Sequence, residues 1–424
     1  LTVTLVDTAD NTVDIAVGGD NLDLTVADGS IDSITLVEGT GAANGDTDAD
    51  GTFDTGETDN DRIVVTVADA WSTGGSLTID ASAIDNFDAN SAVVGFDSLT
   101  TGGATIDGSL EMDSELTIRG TANNDTITGG DEADTLTGSG GNDTFVYSFA
   151  NANDSTSQSA DTITDFNAGD IITVNAGTLG AGAVFLDTFA TVASLAAGDN
   201  SLDGAPGALR FGDSFFSTDT NQFVVDVDGN GDVQDGVDLV INVANFSASQ
   251  VRYTVQTDAG GNTVTTGAGN DTIIGAAGND LVTGGAGADT YTLAGGANVV
   301  TIGNTDSGMT VATADTVTDF TAGTYAFELG AAGDATANTG NYVEVADADY
   351  NGDLTLILAA LNTAAATLAS TSAATELYVF AQDTEAGAQR GYIGNDVDGD
   401  GTIDQLIVLT GSIGDASISA ADFV

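Results

Sequence analysis

Aspartate occupies the sixth place of six nine-residue units in this chain, and the eighth place of each is apolar or aromatic. Three units run from Gly120 to Val146 (GTANNDTIT, GGDEADTLT, GSGGNDTFV) and three from Thr266 to Thr292 (TGAGNDTII, GAAGNDLVT, GGAGADTYT). The acids are Asp125, Asp134, Asp143, Asp271, Asp280 and Asp289; the eighth-place residues are Ile127, Leu136, Phe145, Ile273, Val282 and Tyr291. Carboxylates interleaved with glycine offer oxygen donors. That is ligand chemistry for a hard cation, and calcium takes six to eight oxygens from Asp side chains and backbone carbonyls. Glycine supplies the positive-φ turns that bring carbonyls close to an ion. The spacing matches the G-G-x-G-x-D-x-U-x repeat, whose units stack into a parallel β-roll around calcium.

Such a roll positions its acids through short elements. Each unit is a short strand and a tight turn, the eighth residue points inward, and two units complete one coil. Turns on one side therefore recur every eighteen residues. Asp125 is expected to share an ion with the loop of Asp143, and Asp271 with that of Asp289. Asn262, nine residues before Asp271, holds the Asp slot of a degenerate turn and should stack near Asp280. Asp161 lies eighteen residues after Asp143, so the segment DTITDF is expected to continue that stack, with Asp161 and Asp165 closing the ladder. Asp315 and Asp319 are the equivalents after the second block, where an insertion breaks the eighteen-residue register.

Three further acidic loops could hold ions. Asp46 to Glu57 (DTDADGTFDTGE) follows the twelve-residue EF-hand loop, with ligands expected from Asp46, Asp48, Asp50, the Thr52 carbonyl and Glu57. Its flanks read as strands, so it would be the loop without its helices. Asp226, Asp228, Asn230 and Asp232 open a second such loop, and Asp396, Asp398, Asp400 and Asp404 a third; neither has Glu at its twelfth place.

The rest of the chain reads mainly as strands. Residues 1–118 alternate apolar and polar between Gly/Asp/Asn turns, which predicts an N-terminal β-sandwich or β-helix-like domain. The segments after the two blocks are alike in order: DTITDFNAGD and DTVTDFTAG, an Ala/Leu stretch (185–199 and 354–371), then strand segments. Two β-roll modules are expected, 119–256 and 257–424, each with a short helix on an Ala/Leu stretch and a terminal sheet.

Composition narrows the functions. Sixty-five acidic residues stand against five arginines (Arg62, Arg119, Arg210, Arg252, Arg390), for a formal charge of −60, with no Lys, His or Cys. Such self-repulsion opposes compaction unless cations neutralise it. Nucleic acid and anionic membranes need a basic footprint, which is missing. Without Cys there are no disulfides, which is compatible with the cytosol or with an exterior where metal replaces them as staple. Hydrophobic residues make up 41% of the chain, enough for a folded protein. No run of eighteen apolar residues suggests a transmembrane helix. The start, LTVTLVDTAD, has neither a basic nor an apolar signal region, and Leu1 in place of Met leads us to expect a processed or truncated form.

The nonapeptides, the DTITDFNAGD segment and the ending LTGSIGDASISAADFV resemble the RTX (repeats-in-toxin) family over about residues 119–424. The layout is similar to the C-terminal modules of serralysin-like secreted proteins and to RTX-type bacterial surface-layer proteins. The resemblance implies type I secretion, with an uncleaved signal ending in Asp422, Phe423 and Val424, and folding outside the cell. Millimolar external calcium suits sites with dissociation constants of roughly 10⁻⁴ to 10⁻³ M.

Catalysis is not expected. Without His there is no H-E-x-x-H zinc site or Ser-His-Asp triad, and without Cys or Lys no thiol or Schiff-base nucleophile. Paired carboxylates could serve glycoside hydrolysis, but Trp71 is the single Trp and no aromatic sugar platform is evident. The leading expectation is a secreted, calcium-binding structural protein that assembles with copies of itself as a surface-layer, sheath or filament subunit at the bacterial cell surface, in contact with cell-surface polysaccharide. The alternatives are a calcium-dependent adhesin that binds a receptor or glycan, and the C-terminal part of an exported RTX hydrolase.

Overall fold

The computed structural model describes six strands in the first hundred residues, then residues 104–110, 115–149, 154–180, 183–187, 190–192, 214–227, 237–321, 323–329, 342–345, 350, 352–370, 376–383, 390–413, 418 and 422–423. The described residues are mainly strand with one α-helix, as expected for a β-roll. The chain divides into two compact units. The first takes in 1–175, 190–209 and 214–250; the second takes in 176–189, 210–213 and 251–424.

Two parallel ladders build the first unit. One runs Thr2–Leu5, Leu22–Val26, Ile63–Val67, Ala104–Asp107, Thr126–Thr128, Thr144–Ser148 and on to residues 171–175. The other runs Thr12–Val17, Ser33–Glu38, Ser76–Asp80, Glu115–Arg119, Thr135–Thr137, Asp161–Ile163 and Leu239–Val243. Consecutive strands alternate between the ladders, which is what a coil of two strands and two turns produces. Of the two folds expected for residues 1–118, this parallel pairing is the β-helix-like one; a β-sandwich is built from antiparallel sheets. Its strands pair directly with those of the first repeat block (Ile106 with Ile127, Ile79 with Ile118).

Register places the eighth-place residues over one another. Ile106, Ile127, Phe145 and Ile172 form one row and Ile34, Ile79, Ile118, Leu136 and Ile163 the other, all buried. Each such side chain contributes about 1.5–3 kcal/mol by leaving water. Beyond the repeats the second ladder turns antiparallel through Gln222–Val225 and Ser214–Ser217. Here Phe246 stacks on Phe223 at 4.6 Å between ring centroids.

The second unit repeats this plan. Val251–Gln256, Thr272–Gly275, Thr290–Leu293, Asp315–Thr321 and Gln405–Ser412 are parallel, and Arg390–Asp396 and Leu377–Asp383 extend that ladder antiparallel. The other ladder is Val184–Leu186, Thr263–Thr265, Leu281–Thr283, Asn298–Ile302 and Tyr325–Leu329. Its inward row is Phe185, Val264, Val282, Val300 and Phe327, facing a row of Val255, Ile273, Tyr291, Val317 and Leu409, each 0% exposed.

The single α-helix among the described residues, α1 (Leu354–Ala369), is capped by Asp353, which accepts from the Thr355 N–H at 2.8 Å. Ile357, Leu361 and Ala365, four apart, bury one face against Val379, Tyr392, Ile403 and Leu406. The helix expected over 185–199 does not form in the described part. Val184–Leu186 and Ala190–Val192 are strands, the latter parallel to Ser214–Ser217. Val184, Phe185, Thr191 and Val192 are β-branched or aromatic, and the ladder pairing outweighs the alanines' helix preference.

Candidate metal centre

Each repeat aspartate is held by the coil below it. Asp143 Oδ1 accepts from the Asp125 N–H at 2.8 Å, and Asp125 Oδ1 from the Ala104 N–H at 2.6 Å. On the other side of the first roll, Asp134 Oδ1 accepts from the Leu116 N–H at 2.7 Å and Asp161 Oδ1 from the Asp134 N–H at 2.9 Å. In the second roll the chain of bonds runs Tyr253 to Asp271 (2.7 Å), Asp271 to Asp289 (2.8 Å) and Asp289 to Asp315 (2.9 Å). On its other side Asn262 donates to Asp280 at 2.8 Å, as expected, and Asp280 to Asn298 at 3.0 Å. One carboxylate oxygen thus locks the coil spacing; the second accepts from a turn donor in Asp125 (Thr121 N–H), Asp134 (Gly130 N–H) and Asp280 (Thr257 hydroxyl).

That second oxygen is where the donor set points to a cation. Oδ2 of Asp143, Asp271, Asp289 and Asp315 is buried without a hydrogen-bond partner among the described residues. The glycine that opens the unit makes room for it: a Cβ on Gly138 would land on Asp143 Oδ2, and one on Gly284 on Asp289 Oδ2. A Cβ on Gly120 would meet both Asp125 Oδ2 and, at 2.7 Å, the Gly138 carbonyl oxygen, so a carboxylate and a carbonyl converge there. Gly285 and Gly287 adopt φ +93° and +147°, the left-handed turns required of the second and fourth places.

Burial pushes these carboxyls up. Asp125 rises to about 6, Asp143 and Asp315 to about 7, and Asp289 to about 8. Asp161 and Asp271 lie well above the ordinary carboxylate range, from burial first and then from neighbouring Asp134 and Asp289. Uncompensated buried carboxylates are costly, and a divalent cation is the compensation this oxygen set fits.

The end of the first ladder differs from the eighteen-residue expectation. Asp161 stacks on Asp134 across 27 residues, and Asp143 is continued by Asp170, whose Oδ1 accepts its N–H at 2.9 Å. The loop between Ser148 and Asp161 adds one extra nine-residue step, so Asp161 arrives on the opposite side of the coil. Asp165 braces the turn: its two oxygens accept from the N–H groups of Gly138 (3.0 Å) and Ser139 (2.8 Å). Asp319 accepts from the Leu293 N–H at 3.1 Å and from the Tyr325 hydroxyl. Asp170 and Asn298 were missed in the sequence, although each heads an Asp/Asn-x-apolar triplet (Asp170–Ile172, Asn298–Val300) nine residues after its predecessor.

Of the acidic loops, the third is described whole. Asp396, Asp398 and Asp404 bring carboxylate oxygens within 4.8 Å of one another. Asp396 accepts from the N–H groups of Gly399 (2.7 Å) and Gly401 (2.8 Å), and burial raises its pKa. Asp400 turns its carboxylate to the Thr402 N–H at 2.8 Å instead. The second loop begins alike: the Val227 N–H meets Asp238 at 2.9 Å as the Val397 N–H meets Asp404 at 2.9 Å, and Asp226 is buried. Asp228, Asn230 and Asp232, and Asp46, Asp48, Asp50, Thr52 and Glu57, lie outside the described residues.

The family model of the RTX calcium-binding nonapeptide repeat matches four copies, in residues 117–146 and 256–291. A search of the curated proteins found no match to the chain. Nonapeptides of this kind are typical of secreted extracellular proteins, and among the described residues no helix is long and apolar enough to cross a membrane. These two blocks are thus RTX calcium-binding nonapeptide repeats, and repeats of this kind bind multiple calcium ions.

Proposed function

We propose that the chain is a secreted structural protein whose folding is driven by calcium outside the cell and which then assembles with copies of itself, as a surface-layer, sheath or filament subunit. The observation that carries this reading is the set of buried aspartates Asp143, Asp161, Asp271, Asp289 and Asp315, whose second oxygens have no hydrogen-bond partner among the described residues. With a formal charge of −60 and five arginines, the protein cannot supply the missing positive charge. In a calcium-poor cytosol the carboxylates keep the chain open and fit for type I export. Outside, Asp125, Asp134, Asp143, Asp161 and Asp170 would hold ions in the first roll, and Asp271, Asp280, Asp289 and Asp315 in the second. Metal binding then becomes folding free energy.

Assembly is favoured by strands that end a ladder among the described residues, such as Val184–Leu186, whose pairing is with Thr263–Thr265. Such edges accept another chain by strand addition, and calcium can bridge acidic faces. A non-enzymatic role fits the lack of His, Cys and Lys. Electron microscopy with calcium and then with excess EGTA tests the proposal: ordered arrays that dissolve on chelation support it, and monodisperse monomers in both conditions reject it.

A further inference from the structure

We propose one more cation site, off the repeat turns, centred on Asp154 of the first unit. Asp154 stands in the segment that leaves the first repeat block and belongs to no nonapeptide. It is 3% exposed; Oδ2 accepts from the Ser148 N–H at 3.0 Å, and Oδ1 is buried with no hydrogen-bond partner among the described residues. An unpaired carboxylate oxygen at that depth is costly unless something positive meets it. Asp154 occupies no repeat position, and the ladder aspartates Asp134 and Asp161 do not line its cavity.

Asp154 lines a cavity together with Asp107, Ser109, Thr128, Tyr147 and Ser148, with Val146 as the apolar member. Three consecutive strands of one ladder bring this wall together: Ala104–Asp107, Thr126–Thr128 and Thr144–Ser148, with Asp107 directly beside Thr128. Asp107 uses Oδ1 to accept from the Ser109 N–H at 3.0 Å. Asp134, Asp131 and Asp107 are the carboxylates whose charge acts on Asp154, and none of the lining residues is basic. Every polar side chain in the wall presents oxygen and none presents nitrogen or sulfur. The chemical class is therefore a hard cation of calcium type, with Asp154 and Asp107 as the charged ligands and hydroxyls available around them. This assignment does not depend on self-assembly.

The test uses the full chain. Bound calcium is counted by elemental analysis after equilibrium dialysis for the parent, Asp154→Asn and Asp107→Asn. One ion fewer per chain in each variant, with an unchanged circular dichroism spectrum in calcium, is expected; an unchanged count overturns the proposal. Should Asp154→Asn fail to fold, terbium luminescence excited through tyrosine decides. Tyr147 lines this cavity, so Tyr147→Phe should keep the ion count and lose part of the sensitised emission, and Asp107→Asn should lose the same part. Emission unaffected by both changes rejects the site. Neither reading concerns assembly, so this inference and the structural role fail separately.

Discussion

Asp143 donates its backbone N–H to Oδ1 of Asp170 at 2.9 Å across 27 residues, where the repeats below it use eighteen. The bond is the same; only the chain between its ends has grown. Such an aspartate is a backbone spacer and, in the function we propose, also a ligand to an ion, and the two roles can be separated by substitution. Asp143→Asn and Asp289→Asn keep the Oδ1 acceptor and remove the charge. Calcium midpoints measured by isothermal titration should rise about tenfold or more, since ligand charge sets affinity in such sites. Unchanged midpoints would remove these residues from the metal centre.

Glycine substitutions separate room from backbone strain. Gly284→Ala puts a methyl where Asp289 Oδ2 lies, so it should abolish the calcium at that turn. Gly177→Ala meets no atom within 4 Å but sits at φ +70°. It should cost only about 1–2 kcal/mol of left-handed strain and leave the ion count intact. Calcium counting beside urea melts in calcium distinguishes the pair.

The raised carboxyl pKa values fix the sign of the pH dependence. Asp125, Asp143, Asp315 and Asp289 bind protons more tightly in the metal-free fold, at about 6, 7, 7 and 8, than in the unfolded chain at about 3.9. Their contribution to calcium-free stability is therefore complete below the unfolded value and is lost as pH rises through 6 to 8. Calcium reverses the trend, because it binds the deprotonated form and its affinity should climb over the same window. Circular dichroism in chelator should show more structure at pH 5 than at pH 8.5, and calcium midpoints should fall from pH 6 to pH 8. A chelated spectrum insensitive to pH would contradict this.

Asp165 should behave differently from its neighbours, since both its oxygens are used by the N–H groups of Gly138 and Ser139. Asp165→Ala should destabilise the calcium-loaded protein by about 1–3 kcal/mol, the penalty for stranding donors, without changing the number of ions. Loss of an ion would instead make Asp165 a ligand.

The nine-residue period by itself determines the two rolls. It named the aspartates from Asp125 to Asp289, the inward row from Ile127 to Tyr291 and the parallel coil, because a fixed spacing allows one way to stack turns over a buried row. Asn262 on Asp280 came from the same count. Tertiary structure decided what happens where the count is interrupted. The length of the segment before Asp161 is plain in the sequence, but only the bond from the Asp134 N–H shows on which side of the coil Asp161 arrives. Residues 185–199 carry alanines that favour a helix, yet Val184–Leu186 and Ala190–Val192 join ladders whose partners lie far along the chain. Asp154 has no periodic neighbour at all; its burial beside Asp107 comes from three strands meeting. Local spacing encodes contacts between successive coils, whereas contacts made by a loop folding back depend on where the rest of the chain has already gone.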